Sequence, residues 1–368
     1  MPKVMLAGGV TGGHLFPAIA IAEELKRIRP EVEIVFVGTK RGLEAKLIPE
    51  LDYRLEFLEV RGLRRKLDWR NLLFFFHLAK GVNQAKKLLK EERPDLVVGT
   101  GGYLSGPPLY CASKMRIPTI IQEQNSYPGL TTRKLSDRVN KVFLAYEESR
   151  KFFKRQDNLE VVGNPVRSSF SQIDRAEARR RLSPDPNKRV ILVLGGSQGA
   201  VAINRAIQDD LDLLEGKNTL EVVWQTGQKD FERVKALVSE RKLPVTPVPF
   251  IQEMGSAYAG CDLVISRAGA LTLAEITLCG KPAILVPYPY AAADHQRHNA
   301  EVLVKAGAAE MILEKDLRIT RPLFRALELL KDERKLSAMS DQSLKLARPE
   351  ALDKIVSEIL KYLDKDKN

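Results

Sequence analysis

One pattern occurs twice in this chain and restricts the folds open to it: an apolar strand runs into a glycine turn, and a helix follows. The first copy spans Lys3 to Gly12 and the second spans Arg189 to Gly199, with Gly196 at the position that matches Gly9. A strand, a turn and a helix form the repeating unit of parallel α/β sheets. Two copies in 368 residues therefore predict two similar α/β domains, each of about 100–200 residues.

The boundary between the two domains is predicted at Asn164-Pro165. There the strand-like Val161-Val162 ends and a charged stretch begins. We expect a first domain over residues 1–164 and a second over residues 165–346. The amphipathic stretch from Ala351 to Leu363 predicts a last helix, within about 347–364, that packs back on the first domain.

The charge balance indicates an anionic partner. Lys and Arg total 59 against 47 Asp and Glu, a formal net charge of +12. A phosphate-bearing ligand, a nucleic acid or an acidic membrane surface would each fit. Aromatic residues make up only 7% of the chain and are not interleaved with Lys and Arg, as they would be on a nucleic-acid surface. We therefore expect no nucleic-acid partner.

The cysteines favour a reducing compartment. Cys111, Cys261 and Cys279 share no metal-ligand spacing, and their odd number argues against a disulfide framework. The chain enters its first strand without a charged segment and a long apolar core, so we expect no export signal. No run approaches the about 20 apolar residues that a transmembrane helix requires.

Glycine-rich and polar turns follow several predicted strands. In open α/β sheets, ligands bind at the carboxyl ends of the strands, so we expect these turns to face one crevice. A dinucleotide cofactor would also need an acidic residue at the tip of the second strand, but Ile34–Val37 ends in Gly38-Thr39-Lys40. The turns of the first domain are Gly8–His14, Gly99–Pro108 and Gln122–Gly129.

His14 is a candidate base. It lies at the start of the first predicted helix, where the helix dipole favours a neutral imidazole that can accept a proton. The alternative is a structural hydrogen bond within the loop.

The stretch from Asp262 to Asn299 predicts strand, turn, helix, strand, turn and helix. Thr272 lies near the N-terminus of the first of these helices and Glu275 lies one turn further, a pairing that suits the phosphate and ribose of a nucleotide. The polar cluster after the second strand, Pro287–Asn299, suits a sugar. The alternative is ordinary scaffold, because every doubly wound domain needs small and polar residues at such turns.

A basic and apolar stretch, Arg61–Lys80, predicts a membrane-facing surface. Leu72–Phe76 is apolar around the whole helix, and basic residues adjoin it. Reversible docking on anionic lipid would follow, at about 1 kcal/mol for each basic residue near the surface. A buried helix beside a solvated charge run is the alternative. The residues predicted to contact the membrane are Arg64, Arg65, Trp69, Leu72, Phe74 and Phe75.

The Asp-x-Asp sequence at Asp210 and Asp212 invites a metal-site interpretation. The apolar spacing around it predicts an amphipathic helix whose acidic residues face solvent. We therefore predict no metal site here, and no metal or other cofactor elsewhere.

Taken in order, the turns of this chain closely resemble those of the MurG family of peptidoglycan N-acetylglucosaminyltransferases. The resemblance covers nearly the full length, and Val10 and His295 are its main departures. The motifs that carry it are Gly12-Gly13-His14, Gly101–Pro107, Glu123-Gln124-Asn125, Gly163–Arg167, Gly195–Ala200 and Gly269–Thr272.

The resemblance implies a GT-B fold: two Rossmann-like doubly wound domains that face a central cleft, with UDP-N-acetylglucosamine (UDP-GlcNAc) held mainly by the second. Ile251 would bind uracil through its backbone, and Glu275 would bind the ribose. Ser197 and Thr272 would contact phosphate, while Gln296 and Asn299 would contact the sugar. The remaining predicted donor contacts are Thr11, Gly12, Gly13, Asn125, Arg167, Ala270, Leu271, Leu273 and Ala274.

The implied reaction transfers GlcNAc, with inversion, to the 4-hydroxyl of a MurNAc-pentapeptide on polyprenyl diphosphate. Inversion requires a single displacement and one base, for which His14 is the first candidate and Glu123 the second. Tyr103 and Ser105 would face the acceptor. The protein would be peripheral on the cytoplasmic face of the membrane. The alternatives are an enzyme similar to UDP-GlcNAc 2-epimerase and a glycolipid synthase of the same fold.

Overall fold

The computed structural model describes residues 1–62, 72–167, 170, 173–183, 185, 187–195 and 199–364, and for 72–75 it describes the backbone alone. The chain forms two compact units. The first contains Met1–Arg167 together with Glu350–Asn368, and the second contains Ser168–Pro349.

Within its described residues, the first unit contains a parallel sheet of seven strands, in the order β3-β2-β1-β4-β5-β6-β7. The chain order reverses between β1 and β4, as in a doubly wound sheet. The strands are β1 Lys3–Ala7, β2 Glu33–Gly38, β3 Arg54–Phe57, β4 Leu96–Gly99, β5 Thr119–Glu123, β6 Lys141–Leu144 and β7 Leu159–Val161.

The second unit repeats this topology. Its described residues form a parallel sheet of six strands, in the order β10-β9-β8-β11-β12-β13, with the reversal between β8 and β11. The predicted class of two doubly wound α/β domains is confirmed. The strands are β8 Arg189–Leu194, β9 Leu220–Gln225, β10 Val245–Val248, β11 Leu263–Ser266, β12 Ala283–Leu285 and β13 Ala309–Met311.

Helices connect the strands and cover the faces of each sheet. In the described part of the chain they are α1 Gly12–Ile28, α2 Glu44–Glu50, α3 Leu72–Glu92, α4 Gly106–Lys114, α5 Leu130–Leu135, α6 Arg175–Leu182, α7 Val201–Asp209, α8 Gln228–Glu240, α9 Met254–Gly260, α10 Ala270–Leu278, α11 His295–Lys305, α12 Leu317–Thr320, α13 Pro322–Lys331, α14 Glu333–Leu346 and α15 Ala351–Asp364.

The central strands β1 and β8 are buried on both faces, because successive side chains point to opposite sides of a sheet and helices cover both sides. In β1, Val4 and Leu6 pack into one apolar cluster and Met5 and Ala7 into another. In β8, Ile191 and Val193 face one cluster, and its other apolar residues face a second. This double burial explains why the strand sequences are continuously apolar.

The last helix, α15, packs against α1 in the first unit. Its buried residues recur at helical spacing, so they form one stripe: Leu352, Ile355, Val356, Ile359 and Leu363. They join the cluster that contains Ile19 and Leu25 of α1. At the surface, Arg29 Nη1 donates to Asp364 Oδ1 at 2.8 Å.

The prediction that both acids of the Asp-x-Asp sequence face solvent is wrong for Asp210. Asp210 is buried, and its Oδ1 accepts a hydrogen bond from Arg321 Nε at 2.7 Å. Its Oδ2 accepts from the Leu323 N–H at 3.1 Å, in the first turn of α13. A carboxylate that caps a helix N-terminus and pairs with Arg tolerates burial. Asp212 is exposed and also contacts Arg321.

Candidate functional site

The reversal of strand order in the first unit brings the loops after β1 and β4 side by side. Thr100, directly after β4, donates its N–H to Ala7 O at 3.0 Å and its hydroxyl to His14 O at 2.7 Å. Gly8 leaves the space that the Thr100 hydroxyl occupies, because a Cβ at Gly8 would overlap it. The loop after β1 is therefore fixed against the loop after β4.

The first glycine loop presents the start of α1. The side chain of Thr11, the residue that precedes α1, makes no capping hydrogen bond within the described structure. Thr11 and Gly13 are exposed, and Gly12 and His14 are half-buried. A helix start of this kind offers backbone N–H groups to an anion.

The His14 imidazole makes hydrogen bonds through Nδ1. Nδ1 lies 2.9 Å from Gln124 Oε1 and 3.1 Å from Thr100 O. The ring lies against the backbone of Gly101, where a Cβ would come within 2.7 Å of Nδ1. Within the described residues, no protein group hydrogen bonds to Nε2. The ring is therefore held through Nδ1, and Nε2 is available to hydrogen bond with a ligand.

Glu123, the second candidate base, is buried, and its carboxylate is engaged in its own loop. Oε1 accepts from Asn125 N at 3.2 Å and from Asn125 Nδ2 at 3.1 Å. Oε2 accepts from the Gly129 N–H at 3.1 Å, just before α5. These contacts stabilise the turn between β5 and α5, and they also fix Asn125, a predicted donor contact.

The two predicted acceptor-side residues differ in exposure. Tyr103 is partly exposed, and its ring lies over Gly62, where a Cβ would be 2.9 Å from Tyr103 Cδ1. Burial of the rest of the ring raises the pKa of Tyr103, so its hydroxyl is a hydrogen-bond donor at neutral pH. Ser105 is buried, and its Oγ donates to Gly102 O at 3.0 Å. Tyr103 can contact a ligand, whereas Ser105 stabilises the loop.

Arg167 belongs to the first unit, where its Nε lies 3.0 Å from Glu23 Oε2 of α1. Burial raises the pKa of Glu23, and the charge of Arg167 opposes that shift. The Arg167 side chain is about half exposed.

In the second unit, the turn after β11 leads directly into α10. Thr272 and Glu275 are half-buried on this helix, as are Leu271 and Ala274, while Leu273 packs into the core. The Tyr258 hydroxyl, fully buried on α9, donates a hydrogen bond to the Glu275 carboxylate. Burial and the charge of Glu275 raise the pKa of Tyr258 well above its usual range. The Glu275 carboxylate is therefore held in place by a buried residue of α9, Tyr258.

The remaining predicted donor contacts lie after β10 and around the start of α11. The Ile251 N–H already donates to Gln225 Oε1 at 3.0 Å. Gln296 Oε1 accepts from the Tyr288 N–H at 2.9 Å, which ties the loop after β12 to α11. Asn299 is fully buried on α11. The loop between β12 and α11 contains Ala293 and Asp294, both in the left-handed backbone conformation.

Several predicted residues lie outside what the structure describes. Ser197 falls in 196–198, and Arg64, Arg65 and Trp69 fall in 63–71. Leu72, Phe74 and Phe75 begin α3, with only their backbone described. Further along α3, Phe76 is 66% exposed and Leu78 is 39% exposed. Across the described ranges, no helix is long and apolar enough to cross a membrane.

Comparison with known proteins identifies both units. The N-terminal domain of glycosyltransferase family 28 matches residues 4–144, and the C-terminal domain of that family matches residues 190–355. The first match lies within the first unit, and the second covers most of the second unit and extends into the start of α15.

The similarity to individual relatives extends over nearly the whole chain. An enzyme of Chlorobaculum parvum, named UDP-N-acetylglucosamine–N-acetylmuramyl-(pentapeptide) pyrophosphoryl-undecaprenol N-acetylglucosamine transferase, is 46% identical over 362 residues, 97% of this chain and 98% of its own. The enzyme of the same name from Acetivibrio thermocellus is 39% identical over 366 residues, 99% of each chain. The crystal structure of Acinetobacter baumannii MurG matches with a TM-score of 0.77 at 30% identity, over 98% of this chain and 100% of that one.

Proposed function

Since the chain belongs to the MurG family of N-acetylglucosamine transferases, we propose that its first unit binds the acceptor and supplies the base, and that its second unit binds the donor. The donor is UDP-GlcNAc, and the acceptor is MurNAc-pentapeptide on undecaprenyl diphosphate. The observation that carries this assignment is the His14 imidazole, which hydrogen bonds through Nδ1 and, among the described residues, has no partner at Nε2.

The reaction is a single displacement. The acceptor 4-hydroxyl oxygen attacks C1 of GlcNAc, the bond from C1 to the diphosphate oxygen breaks, and UDP leaves with the electron pair. His14 Nε2 takes the hydroxyl proton during the attack. The imidazolium then releases this proton to solvent. Attack from the side opposite the leaving group inverts the configuration at C1.

His14 is a better candidate for the base than Glu123. The Glu123 carboxylate is buried and already accepts hydrogen bonds from Asn125 and Gly129. Protonation of that carboxylate would weaken these bonds and the turn that they hold. Glu123 therefore serves to position Asn125 and the loop around it.

Donor binding rests on α10 and the turns near it. Glu275 accepts hydrogen bonds from the ribose hydroxyls, and Tyr258 fixes its carboxylate. The first turn of α10, with Thr272, binds the diphosphate, and its N–H groups stabilise the negative charge on departing UDP. Because the Ile251 N–H is engaged by Gln225, its carbonyl is the group that contacts uracil. Gln296 and Asn299 position the sugar.

Further donor contacts come from the glycine loops. Ser197, in the glycine turn after β8, adds a phosphate contact. In the first unit, Thr11, Gly12, Gly13 and Asn125 contribute contacts to the donor, and Arg167 contributes positive charge near the nucleotide. The exposure of Thr11 and Gly13 supports the contacts proposed for the first glycine loop.

The acceptor is a lipid, so the protein must work at a membrane surface. Tyr103 contributes an exposed aromatic face and a hydroxyl donor on the acceptor side. The segment 61–80 docks on anionic lipid at the cytoplasmic face, an assignment supported by the exposure of Phe76 and Leu78 on α3. The binding is peripheral and reversible.

Release of UDP tests this assignment against the epimerase and glycolipid synthase alternatives. UDP should form from UDP-GlcNAc only when the lipid-linked MurNAc-pentapeptide is added, in amounts equal to the glycosylated product. Conversion of UDP-GlcNAc into another UDP-sugar without acceptor would indicate an epimerase. Transfer to a diacylglycerol acceptor, without transfer to the MurNAc lipid, would indicate a glycolipid synthase.

A further inference from the structure

The buried amide of Gln124 can adopt only one orientation. Its Nε2 donates to Thr100 O at 2.7 Å and to Gln122 O at 2.9 Å. Carbonyl oxygens only accept hydrogen bonds, so a reversed amide would place Oε1 against two groups that repel it. Oε1 therefore faces the other way, toward His14 Nδ1 at 2.9 Å.

Other buried amides hold Gln124 in this orientation. Asn164 Nδ2 donates to the main-chain oxygen of Gln124 at 3.1 Å, which turns Asn164 Oδ1 toward Gln122. Gln122 Nε2 donates to that Oδ1 at 3.0 Å, and Gln122 Oε1 accepts from Gln124 Nε2. A main-chain carbonyl thus sets the direction of the whole network.

The orientation of Gln124 determines where the imidazole proton lies. Nδ1 faces Gln124 Oε1 and Thr100 O, both acceptors, so only an Nδ1–H satisfies them. A neutral imidazole carries one ring proton, which leaves a lone pair on Nε2. With the opposite tautomer, three lone pairs would face one another in a buried site, which is unfavourable.

We propose that Gln124 is a positioning residue that holds His14 in the Nδ1–H tautomer, with Gln122 and Asn164 as its support. The importance of this tautomer for turnover rests on the proposed role of His14 as the base. During the reaction the proton of the acceptor hydroxyl moves to Nε2. Nδ1 keeps its own proton and its hydrogen bond to Gln124 Oε1. The same contact fixes the plane of the ring, so the lone pair is directed before the substrate binds.

The tautomer can be observed directly by nuclear magnetic resonance of the full-length protein labelled with ¹⁵N-histidine. The chain has four histidines, and the His14 signals are those that His14→Ala removes. In the wild type, we expect the neutral His14 ring to carry its proton on Nδ1. In Gln124→Leu, we expect signal from the Nε2–H form, and a kcat lower by about tenfold or more with little change in KM for UDP-GlcNAc.

Gln124→Met is a second variant of similar length, which removes both the oxygen that faces Nδ1 and the amide group that donates to Thr100 and Gln122. We expect it to show the Nε2–H form and the lower kcat of Gln124→Leu. Asn158→Leu is a matched control, because Asn158 is also buried and its Nδ2 donates to two main-chain carbonyls, of Ser136 at 2.8 Å and Val139 at 3.1 Å. It should reduce stability and leave the His14 spectrum and kcat unchanged.

An Nε2–H tautomer in the wild type would overturn the proposal. So would a wild-type spectrum and kcat in Gln124→Leu or in Gln124→Met. The failure of the base assignment would look different: His14→Ala would then keep its kcat, whatever the spectra show.

Discussion

Glu44 lies buried beneath the first glycine loop, and its Oε2 accepts a hydrogen bond from the Val10 N–H at 2.7 Å. Oε1 accepts from Thr39 N at 2.8 Å and from Thr39 Oγ1 at 3.0 Å. A Cβ at Gly9 would come within 2.7 Å of the carboxylate. Val10 has a φ of 71°, which is rare for a β-branched residue, so the loop depends on this support.

We predict that Glu44→Gln weakens the loop that carries His14. The amide group of Gln would place N–H donors against the N–H groups of Val10 or Thr39. Leaving such a buried donor unpaired costs about 1–3 kcal/mol. Denaturant unfolding should show this loss, and kcat should fall.

Glu24→Gln is the matched control for Glu44→Gln, because Glu24 is also buried in the first unit but pairs with the exposed Arg27. It should leave kcat unchanged. Wild-type stability and kcat in Glu44→Gln would show that the loop does not need the carboxylate.

Tyr258→Phe should weaken donor binding. It removes the hydroxyl that donates to Glu275, so the carboxylate loses its fixed position for the ribose. A loss of about 1 kcal/mol corresponds to a rise of about fivefold in KM for UDP-GlcNAc, with a smaller effect on kcat. Tyr53→Phe, at a partly buried tyrosine of the first unit, should leave KM unchanged. An unaltered KM in Tyr258→Phe would argue against ribose binding by Glu275.

Glu310 should make stability depend on pH. Arg325 donates to both of its oxygens at 2.7 Å, and Lys335 donates to Oε1 at 2.7 Å. These bonds lower the pKa of Glu310 to about 2. The unfolded pKa is about 4.3, so the ionised carboxylate stabilises the fold fully above that value. The stabilisation is lost as the pH falls through the folded pKa.

Unfolding of the wild type and of Glu310→Gln at several pH values tests this. The wild type should be more stable near pH 6, and the difference should shrink as the pH falls toward 2. Glu215→Gln, at an exposed carboxylate paired with Arg241, should show little change at any pH. A constant difference between the wild type and Glu310→Gln would contradict the prediction.

Phe76→Ser should reduce binding to vesicles that contain anionic lipid. Phe76 is 66% exposed on α3, so its loss should not disturb the core. Phe324→Ser is the matched control: this phenylalanine of the second unit is 47% exposed. Cosedimentation should show weaker binding for Phe76→Ser and unchanged binding for Phe324→Ser. Binding by Phe76→Ser that equals binding by the wild type would argue against α3 as the docking surface.

Much of the fold could be predicted from the sequence because its signals are local. Continuous apolar strands and glycine turns mark each α/β unit, and the stripe on α15 predicted an amphipathic helix. The Asp210 prediction failed because its partner, Arg321, lies more than one hundred residues away in the sequence. Helical spacing cannot reveal such a contact.

The candidate site was less accessible to sequence reasoning. His14 and Glu275 stand out because they lie at strand-to-helix turns. Three buried residues support the site through hydrogen bonds to groups distant in the sequence: Gln124, Glu44 and Tyr258. Gln124 follows a strand within a polar turn, and Glu44 begins α2 directly after a turn that contains Gly42, and both are weak signals. Tyr258 lies in an apolar helix and gives none.

The most direct test of the central claim is to measure both kcat and UDP affinity for His14→Ala. If His14 is the base, kcat should fall by a factor of about 10²–10⁴, while the Kd for UDP, measured by calorimetry, stays at the wild-type value. A kcat close to that of the wild type, or a loss of UDP affinity that accounts for the lower activity, would contradict the claim.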